Sequence, residues 1–337
     1  MLYVGVDAGS TKTRAAVCDE AGRVLGSATG GFGSVEGPGG IAAGVAEMAR
    51  TVAQALAQAA GRAEQVVSAC YAVAGCDGPA DEAEIRAGIG AAGLSPLPHG
   101  GTLTVVNDGY AALRGGLARS WGVASAAGTG TVVVGRGPDG RIVQVGGIGP
   151  LSGDGGGGVV LGGLAVQRVM MAEQGAMAPT RLRAAVARLF ETEDLLGLLW
   201  RQDPGLRRRL ATLAPAVFRA AADGDGAAQE ILVQVGTHLG RMATGAIAQL
   251  GLVDTDVEVA LTGGTYRGAS PLMADAATLE IHRRAPLAQV HRALREPVAG
   301  ALVVAREAHD GPPDEVFLAT LQEGLPEPGT HRTAPLA

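Results

Sequence analysis

The chain has 337 residues, of which 47% are hydrophobic and 18% charged, so it is long enough for two globular domains, each with its own core. Its formal net charge of −6 argues against a nucleic-acid surface. Three cysteines without a CxxC pair argue against a zinc site and a disulfide framework; reduced thiols favour a cytoplasmic location. The sequence has neither a secretory-type leader nor an apolar run of about 18 residues, which predicts no membrane partner.

The first third of the chain alternates short apolar strands with helices. The strands are predicted at Leu2–Val6, Thr13–Cys18, Arg23–Ser27, Val66–Val73 and Leu103–Val106. Residues 19–22, Asp-Glu-Ala-Gly, are typical of a hairpin turn because glycine tolerates a positive φ. Helices are predicted from Ile41 to about Ala60, at Glu82–Ala91, and from Gly109 to about Arg119.

The pattern then restarts about 119 residues later. Ala127-Gly128-Thr129 resembles Ala8-Gly9-Ser10, and the turn into a strand at 138–142 resembles the turn at 20–24. Two glycine hairpins can be alike by chance, but the helical segments that follow repeat as well, which favours a duplicated unit. Strands alternating with helices in two copies predict an α/β fold.

The second half of the chain reads as mostly helical. After a predicted strand at Thr131–Val134, helical sequence runs from Gly157 to Gly251, and a break at 223–226 precedes a long helix. A late strand is predicted at Val257–Leu261, and a final helix begins at Pro297, since proline is favoured in a first helical turn. The tail from Pro326 is predicted to be a mobile terminus.

Five glycine-rich segments follow predicted strands and are the candidate ligand loops. They are residues 7–13, 107–109, 127–131, 153–158 and 261–264. In open α/β sheets, ligands bind beyond the carboxyl ends of strands, so this shared position predicts a site. The hydroxyls and three acids in these loops indicate two halves that close over a nucleotide, and therefore phosphoryl transfer.

The first segment is predicted to bind phosphate. Backbone N–H groups of a glycine turn bind phosphate oxygens, hydroxyls add donors and a lysine adds a point charge. The residues assigned this role are Gly9, Ser10, Thr11, Lys12 and Thr13. Asp7 would repel phosphate unless a cation lies between them, which predicts Mg²⁺ held through water. The alternative is an ordinary hairpin with a capping aspartate, and the GxxxxGK[ST] spacing of a P-loop is absent.

Asp108 is the candidate general base. It follows a predicted strand, and a carboxylate there can accept a proton from a substrate hydroxyl as that oxygen attacks the γ-phosphate. Asn107-Asp108 alone favours a helix N-cap, but the flanking phosphate loops favour catalysis.

The remaining segments have weaker signals. Gly128, Thr129 and Gly130 offer a second set of phosphate donors, or a plain turn. The 146–158 stretch allows close backbone approach to a ligand, and its Asp154 can accept hydrogen bonds from two vicinal sugar hydroxyls; the alternative is a flexible surface loop. The glycines after Thr262 would let the backbone pass a purine or ribose, or form a structural turn.

The order of these segments resembles the superfamily of actin-like ATPases, sugar kinases and heat-shock ATPases. Within it, the chain is similar to the BadF/BadG/BcrA/BcrD-type ATPases, and specifically to their N-acetylglucosamine kinase branch. The resemblance spans about residues 2–306 and is carried by residues 7–13, 107–108, 147–158 and 297–301. It implies a duplicated ribonuclease H-like (actin-like ATPase) fold, with a cleft between two domains. These would be residues 1–118 and 119–296, with a final helix at 297–310 that returns to the first domain and a C-terminal tail at 311–337.

The resemblance also implies a reaction: the γ-phosphate of ATP passes to the 6-hydroxyl of a hexosamine, with Mg²⁺. Asp108 would be the base, while Asp7, Thr11 and Thr129 would serve phosphate and metal, and Gly263 and Gly264 would line the adenosine site. The sugar site would be lined by Ser34, Asn107, Asp108, Thr131, Gly147, Ile148, Gly149 and Asp154. A homodimer is expected from the resemblance.

Three residues depart from the family pattern. Ser34 replaces an Asn that touches the sugar, Ile148 replaces an aromatic residue of some members, and Gly155 replaces a Glu. All three bear on the substrate, so glucosamine and N-acetylmuramic acid are alternatives to N-acetylglucosamine. From other classes, the alternatives are a non-kinase ATPase that activates a redox enzyme through an iron–sulfur cluster, for which Cys70 and Cys76 make an unconvincing pair, and a sugar and nucleotide sensor without catalysis. The CxCG zinc cluster of the ROK kinases is absent.

Overall fold

The computed structural model describes residues 1–37, 39–60, 63–94, 97–149, 153–195 and 206–325; the predicted mobile tail from Pro326 lies outside them. The chain forms two compact units. The first combines Met1–Ala124 with the chain from Arg292 onward, and the second is Ser125–His291.

Each unit contains a five-stranded sheet. The strands of the first are β1 (Leu2–Ala8), β2 (Thr13–Asp19), β3 (Val24–Gly30), β4 (Val66–Val73) and β5 (Thr102–Asn107). Those of the second are β6 (Gly122–Ala127), β7 (Thr131–Arg136), β8 (Ile142–Gly146), β9 (Glu258–Thr262) and β10 (Gln289–Arg292).

Helices connect the strands of both units. In the described residues they are α1 (Gly40–Gln58), α2 (Pro79–Ala91), α3 (Asp108–Gly116), α4 (Gly157–Glu173), α5 (Arg183–Phe190), α6 (Leu206–Ala211), α7 (Ala214–Ala222), α8 (Gly226–Gln249), α9 (Leu272–Arg284), α10 (Pro297–Asp310) and α11 (Glu315–Gly324). None of these helices is both long enough and apolar enough to span a bilayer.

The two sheets share one strand order. The first runs β3-β2-β1-β4-β5, and the second, read from its other edge, runs β8-β7-β6-β9-β10. In each sheet the first strand of the unit is therefore central, flanked by its hairpin partner and by a strand that returns after a helical crossover. The repeat predicted from the two glycine hairpins is thus present in the topology.

Alternating side chains divide the first sheet between two apolar cores. On β1, Leu2, Val4 and Val6 join the core that includes residues of α1 and α2. Tyr3 lies on the other face, in the core formed with α10 and α11. This alternation follows from the two-residue period of a strand. Both faces of the first sheet are therefore covered by helices.

Helix α10 packs so closely against the first sheet and α3 that backbone atoms lie against each other at glycine positions. An added Cβ at Gly5 of β1 would lie 2.6 Å from the backbone nitrogen of Leu302, and one at Gly300 would overlap the carbonyl oxygen of Ala111 in α3. Glycine at these two positions lets the helix approach the strand and α3 more closely than any side chain would allow. The final helix lies in the first unit through these contacts.

Most elements named from the sequence are present, with ends shifted by a few residues. The predicted break at 223–226 is confirmed: α7 ends at Ala222, and Asp225 caps α8, its Oδ1 accepting the backbone N–H of Ala228 at 2.9 Å. Strands β6 and β10 were not named from the sequence, and α2 begins at Pro79 rather than Glu82. The segment assigned to the tail contains α11, whose Phe317 and Leu321 are buried in the core that includes Tyr3.

Candidate active site

The carboxyl ends of β1, β4 and β5 are level in the first sheet. Ala8 pairs with Val73, and Val73 pairs with Asn107, in parallel register. The first glycine loop therefore begins at the same sheet edge where α3 begins at Asp108. Two of the predicted acids, Asp7 and Asp108, are brought to one edge, as expected from the ends of parallel strands.

The loop between β1 and β2 is fixed by backbone hydrogen bonds within the loop, to the segment after β3 and to the segment after β4. The Gly9 backbone N–H donates to the Lys12 carbonyl at 3.0 Å, and the Gly9 carbonyl accepts N–H groups of Gly33 and Ser34, each at 3.2 Å. The adjacent Ala8 carbonyl accepts the Ala74 N–H at 2.9 Å. These bonds fix the loop to the segments after β3 and β4.

The side chains of this loop differ in access. Thr11 and Lys12 are exposed and Ser10 is partly exposed, which fits their predicted contact with a ligand. Thr13 is fully buried, and its hydroxyl lies against Gly33 with no hydrogen-bond partner. In this conformation Thr13 packs under the loop and does not offer its hydroxyl at the surface.

Asp7 stands in an unusual electrostatic setting. Burial, and then repulsion from Asp108, raise its pKa to about 7, although Lys12 and Arg14 lower it. Arg14 is the cross-strand partner of Asp7 on β2, and it forms a buried ion pair with Glu296, at 3.6 Å, where α10 begins. Neither Arg14 nor Glu296 was singled out from the sequence, since only the fold brings them beside Asp7.

Asn107, and not Asp108, caps helix α3. The Asn107 Oδ1 accepts the Gly109 backbone N–H at 2.8 Å, and its Nδ2 donates to Asp77 Oδ1 at 2.9 Å. The structure thus gives the capping role to the neighbour of Asp108. Burial, and then the charge of Asp77, raise the pKa of Asp108 to about 6, while the backbone N–H groups of Gly109 and of Asp108 itself lower it. Asp77, in the loop after β4, is a residue of this site that sequence reasoning missed.

Ser34 has a structural role in this conformation. The residue is buried, its hydroxyl donates to the Ala74 carbonyl at 3.0 Å, and the same oxygen accepts the Glu36 backbone N–H at 3.2 Å. Its single proton is therefore already used to tie the segment after β3 to the end of β4. A contact between Ser34 and the sugar, which stays a prediction, would use the hydroxyl oxygen as an acceptor, because a hydroxyl has one proton to donate and two lone pairs.

In the second unit, the loop at 128–130 is tied to the start of α4. The Gly128 N–H donates to the Gly130 carbonyl at 3.0 Å, and the Gly158 N–H donates to the Gly128 carbonyl at 2.8 Å. Gly128 and Gly130 are exposed, with no atom within 4 Å of an added Cβ, so the loop has room for a ligand. The hydroxyl of Thr131 is buried against Gly156 without a hydrogen-bond partner, so it does not reach the surface here.

The turn after β9 lies beside the end of β6. Gly263 packs against the backbone of Ala127, and the Thr265 hydroxyl donates to the Ala127 carbonyl at 2.6 Å. Gly264 is exposed, with open space around it. The structure thus brings the predicted adenosine residues next to the strand that leads into the 128–130 loop.

Asp154 organises the loop in which it lies. Its Oδ1 accepts the Gly147 N–H at 2.9 Å, and its Oδ2 accepts the Gly149 N–H at 2.7 Å. Each oxygen thus accepts one backbone N–H, and because a carboxylate oxygen has two lone pairs, these bonds leave the predicted contact with two sugar hydroxyls as a prediction. Ile148 is 68% exposed between these two glycines, so its side chain is accessible.

The residues present fit a nucleotide with a divalent cation. Two partly buried carboxylates, Asp7 and Asp108, repel each other, and a hard cation held through water by Asp7 would relieve that repulsion. The open spaces at Gly128, Gly130 and Gly264 are places where the backbone can approach phosphate or adenosine. Each unit thus carries its own set of candidate nucleotide contacts.

The known proteins that this chain resembles include kinases of amino sugars. The model of the BadF/BadG/BcrA/BcrD ATPase family matches residues 4–305. An N-acetyl-D-glucosamine kinase of Dictyostelium discoideum is 26% identical, the match covering 90% of this chain and 97% of that protein. An N-acetylmuramic acid/N-acetylglucosamine kinase of Clostridium acetobutylicum is 26% identical, covering 92% and 100%. A crystal structure from Chromobacterium violaceum, provisionally assigned as an N-acetylglucosamine kinase, has a TM-score of 0.69 at 25% identity, covering 90% and 98%.

Proposed function

We infer that this chain, which belongs to the BadF/BadG/BcrA/BcrD ATPase family, is an ATP-dependent sugar kinase that acts on an amino sugar. The substrate that we propose is N-acetylglucosamine, phosphorylated at its 6-hydroxyl. The observation that carries the proposal is the position of Asp108: it stands at the level ends of β1, β4 and β5, while Asn107 takes the capping role.

The fold of the chain is that of the actin-like ATPases, with the α/β unit present twice. The likeness to sugar kinases supports the predicted chemistry, since this fold places ligand loops after strand ends. Fold alone does not specify a substrate, and the residues of the site must supply that part of the argument.

Asp108 would act as the general base. Its pKa of about 6 leaves most molecules ionised near pH 7, so the carboxylate can accept the proton of the sugar 6-hydroxyl. As that proton moves to Asp108, the sugar oxygen forms a bond to the γ-phosphorus, and the bond from that phosphorus to the β–γ bridging oxygen breaks. The products are the 6-phosphate and ADP. The bond between Asn107 and Asp77 would hold the strand-to-helix turn that positions Asp108.

Each unit has a glycine hairpin that we propose as a phosphate-binding loop. The residues are Gly9, Ser10, Thr11 and Lys12 in the first unit and 128–130 in the second, and the donors in each loop would be backbone N–H groups and hydroxyls. Gly263 and Gly264 would lie along the adenosine. Mg²⁺, when bound, neutralises charge that develops on the phosphates, and Asp7 would hold it through water.

The sugar side has two features that bear on the choice of amino sugar. The Ser34 hydroxyl is bound to Ala74, and Asp154 shapes the 147–149 turn rather than projecting from it. The sugar would therefore meet Ile148 and backbone carbonyl groups of that turn, since the N–H groups of Gly147 and Gly149 already donate to Asp154. Glucosamine and N-acetylmuramic acid remain the alternative substrates.

A direct assay tests the proposal. The purified protein is incubated with Mg-ATP and, separately, N-acetylglucosamine, glucosamine, N-acetylmuramic acid and glucose, and ADP release is measured. We expect N-acetylglucosamine to give the highest kcat/KM, with phosphate found on its 6-oxygen by NMR. If no sugar stimulates ADP release although sugar and nucleotide bind, the sensor alternative replaces the kinase.

The redox-activator alternative has less support. All three cysteines are buried and free, and burial raises the thiol pKa of Cys70 well above its ordinary value. The described residues contain no cluster of three or more His, Cys, Asp or Glu suited to a metal ion. A buried protonated thiol is a poor cluster ligand, since thiolate is the ligand form.

A homodimer and a cytoplasmic location are also proposals, and analytical ultracentrifugation tests the first.

A further inference from the structure

Helix α8 contacts the loop that Asp154 organises. The contact is made by His238, a half-buried residue whose Nε2 lies 2.6 Å from the carbonyl oxygen of Gly153. A carbonyl oxygen only accepts, so Nε2 carries the proton and donates it. We call residues 147–149 and 153–155 the sugar loop; its described part thus has an anchor on a different element.

The same ring depends on the absence of a side chain at Gly155. An added Cβ at Gly155 would lie 2.5 Å from His238 Nε2 and 2.6 Å from its Cγ. The imidazole therefore occupies the space that any other residue at position 155 would fill. The side chain that uses the space beside Gly155 is thus that of His238.

His238 contacts the residues immediately before and after Asp154 in the chain. It bonds to Gly153 on one side and packs against Gly155 on the other, while Asp154 itself accepts the N–H groups of Gly147 and Gly149. Because the carboxylate has two oxygens bound at 2.9 and 2.7 Å, a shift of residues 153–155 would disturb both bonds.

We propose that His238 is a positioning residue for sugar binding: by fixing residues 153 and 155 it sets the direction of the Asp154 carboxylate, and through it the turn at 147–149. This rests on the proposed function, in which that turn receives the amino sugar. The pair of Gly155 and His238 therefore determines affinity for the sugar and not for ATP.

Steady-state kinetics of the whole 337-residue chain test the proposal. His238→Ala should raise the KM for N-acetylglucosamine about threefold to tenfold, the effect of losing one hydrogen bond, with kcat and the KM for ATP little changed. His238→Gln should restore most of the affinity, because its Nε2 is the same number of bonds from Cα as the ring Nε2. Gln234→Ala, an exposed change on the same helix, is the matched control.

A double-mutant cycle tests the link between the two residues. Gly155→Ala should displace the imidazole and raise the sugar KM to a similar extent. In the Gly155→Ala/His238→Ala variant the ring is gone, so the two effects should not add. Additive effects would show that the two residues act independently and would overturn the proposal.

Amide hydrogen exchange provides a readout that needs no activity. Without ligand, His238→Ala should speed exchange at Gly147 and Gly149, and Gln234→Ala should not. Unchanged exchange, or a parallel rise in the KM for sugar and for ATP, would overturn the role of His238. Faster exchange in a protein that phosphorylates no sugar would instead reject the proposed function, and with it the sugar-binding part of this inference.

Discussion

Asn107 and Asp108, which are adjacent at the start of α3, have different roles. Asn107 caps the helix and holds Asp77, so the carboxylate of Asp108 is not required for the cap. In the sequence, either residue fits an N-cap, since both Asn and Asp are favoured there. The structure decides between them through hydrogen-bond partners: Asn107 caps the helix, and the role of Asp108 as a general base stays a proposal.

Replacement of Asp108 by Asn should therefore remove catalysis and keep binding. An amide cannot accept the sugar proton as a carboxylate does, so we expect kcat to fall by about 10²- to 10⁴-fold, the usual contribution of a general base. ATP affinity, measured by calorimetry, should stay within a few fold. Glu84→Gln, an exposed carboxylate change on α2, is the control and should be neutral. Unchanged turnover in Asp108→Asn would remove this residue from the mechanism.

Asp7 should reduce the stability of the free protein at neutral and higher pH. Its pKa is raised to about 7 in the fold, against an ordinary value of 3.8, so the folded state favours the neutral carboxyl. At a pH below the pKa of Asp7 in the unfolded chain, the carboxyl is neutral in both states and the stability of the fold is not reduced. As pH rises through the pKa in the folded chain, the carboxyl ionises and that stability is lost. Ionisation at pH 8 is thus more costly in the folded chain than in the unfolded one.

Asp7→Asn should accordingly stabilise the protein without ligand or Mg²⁺. We expect Tm to rise at pH 8 by roughly 2–4 °C, the shift that about 1 kcal/mol gives in a domain of 150–250 residues, and to rise less at pH 5. The same variant should lose most kinase activity. Scanning fluorimetry measures the shift, with Glu84→Gln again as control. A lower Tm at pH 8 would mean that the attraction between Asp7 and Arg14 outweighs burial.

At the level of elements, strong periodicity was sufficient for prediction and weak periodicity was not. The apolar strands β1, β2 and β4 and the long helix α8 stand out in the sequence. Strand β6, Gly-Val-Ala-Ser-Ala-Ala, consists of small residues, and β10, Gln-Val-His-Arg, is short and polar, so neither has the pattern of a strand. Both are held by their neighbours in the sheet, which is tertiary information.

The residues of the candidate site also fall into those that the sequence predicts and those that it does not. Residues on loops next to strands, such as Asp7 and Asp108, could be named because the chemistry of their positions is local. Asp77 and His238 could not, since their partners lie 30 and 85 residues away along the chain. Asp154 was named from the sequence, but its bonds to Gly147 and Gly149 depend on a backbone path that the sequence does not reveal.

Close packing of α10 provides a test of one element. A Cβ at Gly300 would overlap the Ala111 carbonyl and lie 2.5 Å from the Gly115 nitrogen, so Gly300→Ala should force α10 away from α3. We expect a loss of about 1–3 kcal/mol, the usual effect of overpacking. Gly90→Ala, in α2 with open space around it, should instead be neutral or stabilising. Urea unfolding of both variants measures the difference; equal midpoints would contradict the packing.

At the scale of the molecule, the two units differ in how the chain builds them. The second is one continuous stretch, whereas the first is completed only when the chain returns at Arg292. Helices α10 and α11 then cover Tyr3, Ala16, Cys70 and Ala72 on one face of the first sheet. Without them, that face would expose buried apolar side chains to water, at about 25 cal/mol per Å².

We therefore predict unequal behaviour of fragments. A fragment of residues 121–292, which keeps β6 and β10 whole, should unfold cooperatively by circular dichroism. A fragment of residues 1–120 should not, until a peptide of residues 293–325 is added. The same peptide with Leu302→Asp should fail, because Leu302 is fully buried against this face. Cooperative melting of residues 1–120 alone would contradict this, since it would mean that α1, α2 and α3 suffice to stabilise the first sheet without α10 and α11 on its second face.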